Sequence, residues 1–392
     1  MLLSFVVYTG IALCLYAFGK NASNREEYVK RTSNRELNFF CLEIALSLIL
    51  FATISGIRYK VGMDHLSYLG EYMRLMNSGE TQRDTMEGGF LLISKLFASN
   101  GVHFTIYFGF WALLQFFFLY YAFRHNKKLI PYLGLVVMLG PFYLSMMNGM
   151  RQQTVAFAFI FLVEWIEKRK FWSFAFAILL ASTIHKSAVI LFPLYFLLNS
   201  KFDLSNRKFC FAILAVCTLL GETPTWLSMI NSIEGLLSFL GYDAYSDKIE
   251  LMTTENLRTM AWGPGRISIF AASCFVIYHY NNLKGYFKED KKVRMYFVLF
   301  FIGTCAYNLF ANTSHIFLRP VEYFTLFRLP LSAFLLYYLS KKTGKFQFYT
   351  FLILTCCNIY ITIIKAALTP DIKSSGFILY KFFWDYNSYL TI

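Results

Sequence analysis

The chain has 392 residues, 57% of them hydrophobic and only 15% charged, with a mean hydropathy of +0.48. That composition excludes an ordinary soluble domain and points to an integral membrane protein. The formal charge of +14 would suit a nucleic-acid binder if it were gathered into one patch. The basic residues instead fall in short clusters between apolar stretches, as membrane topology determinants do, so no nucleic-acid partner is expected.

The first stretch, Met1 to Ala17, is apolar without a basic leader or a small-x-small cleavage site, and reads as a first span rather than a removed signal peptide. Further apolar runs occur at 39–57, 103–123, 129–147, 152–166, 171–184, 187–199, 208–221, 263–280, 294–311, 321–340 and 346–366. Together they predict an all-α polytopic integral membrane protein of about 12 transmembrane helices (about 10–14), forming one domain over residues 1–392. The runs 171–184 and 187–199 are short and read as half-helices meeting at His185-Lys186.

The connections after Ala17, Phe123, Ile166, Leu198, Tyr280 and Ser340 carry most of the 37 lysines and arginines. The positive-inside rule places these six in the cytoplasm and both termini outside. Two longer non-spanning segments, 58–102 and 222–262, then face outward and could together form a lid. The first holds a re-entrant piece at Phe90–Ala98. The second, with Gly241-Tyr242-Asp243 and Trp262-Gly263-Pro264-Gly265, reads as loop with short amphipathic helices. Eight cysteines lie mostly within apolar runs and lack metal-ligand spacing, so neither a disulfide framework nor a zinc site is expected.

With sides assigned, Arg58, Asp64, Arg151, His185, Lys186, Arg319 and Glu322 all map to the extracytoplasmic face. Charge at the edge of hydrocarbon is costly, and its one-sided grouping points to a polar, anion-handling site. Arg58, Arg151 and Arg319 suit a phosphate or pyrophosphate, whose oxygens a guanidinium fork meets bidentately. Asn148, Gln152 and Gln153 add amide donors, and a helix starting near Gly149 would turn its positive end to the same place. The competing reading is that the arginines snorkel, or that Arg319 and Glu322 form a helix-start ion pair with Arg328 six residues on. His185 is the best titratable candidate, and Lys186 is a phosphate contact or an interface anchor. Asp64 is an alternative base or a hydroxyl ligand, and Glu87 stands at a helix start where a sugar hydroxyl could reach it. No Asp-x-Asp occurs on this face, so leaving-group charge is expected to meet Arg rather than a metal.

In order, Arg58-Tyr59-x-Val61-Gly62-x-Asp64-x-x-x-Tyr68, Glu87-Gly88-Gly89-Phe90, Asn148-Gly149-Met150-Arg151-Gln152, His185-Lys186-Ser187-Ala188 and Arg319-x-x-Glu322-Tyr323-Phe324 resemble the EpsG/Wzy-type polysaccharide polymerases of bacterial envelopes. The similarity covers about residues 50–330, with a weaker echo at Trp384-Asp385-Tyr386-Asn387-Ser388-Tyr389. Glu-Gly-Gly stands where the family often has Glu-Pro-Gly, and Met63 where a small polar residue is usual. The resemblance implies a C-type-like, metal-independent glycosyltransferase of the bacterial inner membrane that needs no cofactor. Its substrates would be undecaprenyl-pyrophosphate-linked oligosaccharides, as donor and as acceptor, met at the outer leaflet of the lipid bilayer. A chain-length regulator and a flippase are its candidate protein partners. On that reading His185, Asp64, Arg151 and Arg319 are catalytic, with His185 preferred over Asp64 as base. Arg58, Arg151, Lys186, Arg319 and Arg328 bind pyrophosphate, while Tyr59, Tyr68, Glu87, Asn148, Gln152, Glu322 and Tyr323 contact glycan. The rivals are a ligase with another acceptor, a flippase or exporter that binds the headgroup during translocation, and a membrane O-acyltransferase.

Overall fold

A computed structural model describes the chain except residues 35, 82–85, 224–225, 227–261, 289, 314, 343, 370–375 and 385–392. Most of the 222–262 segment, and the echo beyond Trp384, therefore lie outside the described residues. The helices are α1 (Leu2–Ser33), α2 (Leu42–Gly56), α3 (His65–Ser78), α4 (Gly88–Ser99), α5 (Phe104–Ala122), α6 (Ile130–Leu139), α7 (Phe142–Asn148), α8 (Met150–Glu167), α9 (Phe171–Ile184), α10 (Leu194–Asn199), α11 (Arg207–Gly221), α12 (Pro264–Tyr286), α13 (Lys292–Phe310), α14 (His315–Thr325), α15 (Arg328–Lys342), α16 (Lys345–Cys356) and α17 (Asn358–Leu368). Short 3₁₀ turns occupy Lys127–Leu129 and Lys186–Leu191.

The all-α class stands, but the count of about twelve spans is corrected, and the polytopic C-type-like architecture with it. Among the described residues three helices, α1, α5 and α13, are long and apolar enough to cross a membrane. The number rises to five if each of two bent pairs is one span: Lys127–Leu139 with α7, bent by 66°, and α16 with α17, bent by 41°. Elsewhere the apolar runs form short helices, such as α2 with 15 residues and α9 with 14. At 1.5 Å per residue these reach only ~21–23 Å, short of a hydrocarbon core of ~30 Å. Hydropathy marks an apolar run without showing where its helix stops or bends, which is why the sequence overcounts.

The described chain divides into two compact units, Met1–Lys201 with Leu329–Ile392, and Phe202–Arg328. In the first, α1 packs on α6, α2 on α5 and α5 on α8. The α2–α5 crossing is set by Gly56, where a Cβ would fall 2.3 Å from the Thr105 carbonyl oxygen and 3.2 Å from Gly109 Cα. Gln115 of α5 donates to the Met150 carbonyl and to Thr154 Oγ1, both at 3.2 Å, and so ties α5 to the start of α8. The 58–102 segment is largely helical. Its α3 and α4 lie against α5 through a buried aromatic cluster of Tyr68, Tyr72, Phe90, Tyr107, Phe108 and Trp111.

The loop after α2 is held from the far end of the sequence. Arg58 and Phe382 form an antiparallel bridge, with Tyr59 N–H donating to Lys381 O and Phe383 N–H to Ile57 O, each at 2.8 Å. In the second unit, polar pairs join the segments at both ends of α11 to α12, and at one end also to the turn after α13. Glu222 receives Arg266 at 2.6 Å and Asn312 at 2.9 Å, while Asp203 receives Lys284 and, at 3.1 Å, the Tyr280 hydroxyl.

Gly56→Ala must push α2 and α5 apart, at a cost of ~1–3 kcal/mol. Thermal unfolding of the purified protein should show a drop of several degrees for this variant and none for Gly10→Ala, where nothing lies within 4 Å of the added carbon. Equal melting of both variants would contradict the packing described.

Candidate functional site

The Glu87 carboxylate is 6% exposed and gathers residues from three parts of the first unit. Glu87 is the N-cap of α4, with extended backbone at φ −66°, ψ 138°. Its Oε2 accepts from the Arg151 guanidinium in the first turn of α8. Its Oε1 accepts from His185 Nδ1 and from the Lys186 backbone N–H, each at 3.1 Å. The last two come from the break between α9 and the following 3₁₀ turn, where His185 is extended at φ −152° and ψ 115°. Local backbone makes this meeting possible. A Cβ on Gly89 would come within 2.3 Å of Thr183 Oγ1 and 3.0 Å of its carbonyl oxygen, so glycine lets the start of α4 lie directly on the end of α9.

Burial alone would raise the Glu87 pKa, but the His185 hydrogen bond, the Lys186 amide and the Arg151 charge outweigh it and hold the carboxyl at about 2. Ionised, it can only accept hydrogen bonds. His185 Nδ1 must therefore carry a proton, so in the neutral ring Nε2 is the lone-pair nitrogen, on a side chain that is 21% exposed. Arg151 is 19% exposed, lies over the Phe90 ring at 5.5 Å, and has the Tyr68 side chain against it. Its Nε–H is buried without a hydrogen-bond partner.

Other expected residues surround or underlie this cluster. Asp64 and Lys186 are exposed. Asn148 Oδ1 accepts from the Asp64 backbone N–H at 3.1 Å and so anchors the loop that carries Asp64. Tyr59, Tyr68 and Gln152 are buried. Arg58 is only 2% exposed, and its guanidinium donates to the Ser55 carbonyl and, at 3.2 Å, to the Val61 carbonyl while lying over Phe108. Its donors thus close the turn between α2 and α3. His65, assigned no role by the motifs, is fully buried beside Phe108 with neither ring nitrogen hydrogen-bonded. Burial, and then the charge of Arg58, hold its pKa well below the ordinary value.

Arg319, Glu322 and Tyr323 belong to α14 and Arg328 to the start of α15, all in the second unit. Arg319 and Glu322 are exposed and Tyr323 is buried. The contacts described for the Glu87 cluster are made within the first unit. Two of its features were not predicted from sequence: the use of Glu87 as a shared anchor, and the Phe90 ring under Arg151. Both sit within the quoted Glu87-Gly88-Gly89-Phe90 motif. Among the described residues no group of three or more His, Cys, Asp or Glu is placed to hold a metal ion.

The EpsG family model matches residues 41–382. The chain belongs to the EpsG family. No curated protein and no solved structure matches it. EpsG membership supports a role in polymerising or processing polysaccharide repeat units, a glycosyltransferase-like activity on lipid-linked oligosaccharides, and residence at the inner membrane. The match spans every residue of the Glu87 cluster.

Lowering the Glu87 pKa from 4.5 to about 2 corresponds to a stabilisation of about 3 kcal/mol. Because the folded value is depressed, this contribution is complete above about pH 4.5 and is lost as pH falls toward about 2. Glu87→Gln should therefore unfold more easily than wild type at pH 6, and more than half of that gap should vanish by pH 3. Denaturant midpoints at the two pH values check this. An unchanged gap would contradict the ionised, donor-surrounded carboxylate.

Proposed function

We propose that this EpsG-family chain polymerises undecaprenyl-pyrophosphate-linked repeat units, transferring the growing glycan to an incoming lipid-linked repeat at the outer leaflet. The observation that carries this reading is that one buried carboxylate fixes both a proton acceptor and a guanidinium at the mouth of α8. Glycosyl transfer from a pyrophosphate carrier needs both groups.

In the proposed reaction a hydroxyl at the non-reducing end of the incoming repeat attacks the anomeric carbon of the growing glycan. The bond from that carbon to the pyrophosphate oxygen breaks, and the electron pair leaves with the pyrophosphate. His185 Nε2 takes the hydroxyl proton, its ring held by the hydrogen bond from Nδ1 to Glu87. Arg151, whose side chain is 19% exposed, meets the charge that develops on the leaving oxygen. Exposed Lys186 adds a second cation beside His185. Glu87 acts through these two groups rather than on sugar, since protein donors take both its oxygens. In this reading Asp64, exposed on the loop held by Asn148, accepts from a sugar hydroxyl. Arg58 serves by shaping that loop.

Purified protein supplied with a defined lipid-linked repeat unit should lengthen glycans. His185→Ala should lower the elongation rate by ~10²–10⁴-fold, the usual worth of a general base. Arg151→Ala should lower it by ~10²-fold or more, as loss of an oxyanion partner does. Gel analysis of product length reads both, and full elongation by both variants would sink the proposal.

A further inference from the structure

The first unit carries a second polar site at the other end of its helices. α1 starts beside the Arg58–Phe382 bridge, where Tyr380 N–H donates to Ser4 Oγ at 2.9 Å. Twenty residues further along α1, some ~30 Å away at 1.5 Å per residue, lies a cleft of about 590 Å³ between α1, α6 and α15. Lys20, Lys30 and Arg31 of α1, Lys128 beside α6 and Lys341 of α15 line it, against only two carboxylates, Glu26 and Glu27.

Both carboxylates are already engaged. Glu26 receives Lys127, a 1% exposed ammonium outside the cleft, at 3.1 Å and faces Lys30 at 3.6 Å. Glu27 pairs with Arg31 at 2.5 Å. Lys20 and Lys341 have no acidic partner among the described residues. The floor is aromatic. Tyr132 meets Tyr16 at 6.0 Å and Tyr337 at 6.4 Å between ring centroids, and Lys128 Nζ stands 5.2 Å from the centroid of the Tyr337 ring.

Like charges gathered in one cleft repel unless an anion joins them. The volume falls in the range of ligand sites and exceeds what a bare phosphate fills, leaving room for an organic substituent. The position adds a further constraint. Lys20 is the first charged residue of α1, so the cleft opens where the apolar part of a candidate span ends, at headgroup depth.

We infer that this cleft is a binding site for a phosphate-bearing organic anion, held by Lys20, Lys128 and Lys341 over the tyrosine floor and separate from the Glu87 cluster. Two sources offer that chemistry: an anionic phospholipid headgroup, and a soluble pyrophosphate-containing molecule.

The test uses the full-length protein in detergent, titrated with short-chain phosphatidylglycerol, with short-chain phosphatidylcholine and with inorganic pyrophosphate, and read by native mass spectrometry. Wild type should hold phosphatidylglycerol or pyrophosphate, and the combined variant Lys20→Gln, Lys128→Gln, Lys341→Gln should bind it at least tenfold more weakly. A control with Lys95→Gln, Lys170→Gln and Lys345→Gln, all exposed and none of them lining the cleft, should bind as wild type does. Retention of phosphatidylglycerol alone assigns a lipid headgroup, and retention of pyrophosphate alone assigns a soluble ligand. Equal binding by wild type and the cleft variant, or phosphatidylcholine held as well as phosphatidylglycerol, overturns the inference. Should the cleft variant fail to fold, wild-type binding must still weaken severalfold between 50 mM and 500 mM salt, and salt-independent binding overturns the inference equally.

Discussion

The Glu87 carboxylate is the contact on which the described site depends. It is buried, ionised and met by donors from α8 and from the α9 break, so three separate stretches of sequence converge on two oxygen atoms. A carboxylate so placed would be costly without partners, and breaking such a buried pair typically costs ~3–5 kcal/mol. Stability and chemistry are coupled here. The bonds that compensate for burying Glu87 are the ones that hold an imidazole and a guanidinium side by side.

The surrounding packing keeps that arrangement in place. Gly89 lets α4 sit on the end of α9, Phe90 lies under Arg151, and Gln115 fixes the first turn of α8 to α5. On the neighbouring side, Arg58 and the Phe382 bridge shape the loop that ends in Asp64. None of these groups has to touch a substrate, yet Gly89, Phe90 and Gln115 limit where His185 and Arg151 can point.

Legibility from sequence followed from physical range. Helical class was readable because composition and apolar runs act locally, and the break at His185-Lys186 appeared where two short runs met. The number of spans was not readable. The run 129–147 bends by 66° between α6 and α7, and runs such as 171–184 are too short to cross, although their hydropathy resembles that of a true span. At the site, Glu87, Arg151 and His185 were each singled out, but their mutual contact joins residues up to 98 positions apart and no spacing rule encodes it. Arg58 shows the converse. A cation at the end of an apolar run reads as a ligand for an anion, while the structure shows two of its guanidinium nitrogens donating to carbonyls of its own turn.

The central claim is that ionised Glu87 orders His185 with Nδ1 protonated and Nε2 open to a substrate hydroxyl. The direct measurement is the ¹⁵N spectrum of histidine-labelled protein, with the His185 signals assigned by their loss in His185→Gln. The account predicts the Nδ1–H tautomer in wild type and a mixture of tautomers in Glu87→Gln. A wild-type ring in the Nε2–H form, unchanged when Glu87 is replaced, would contradict it.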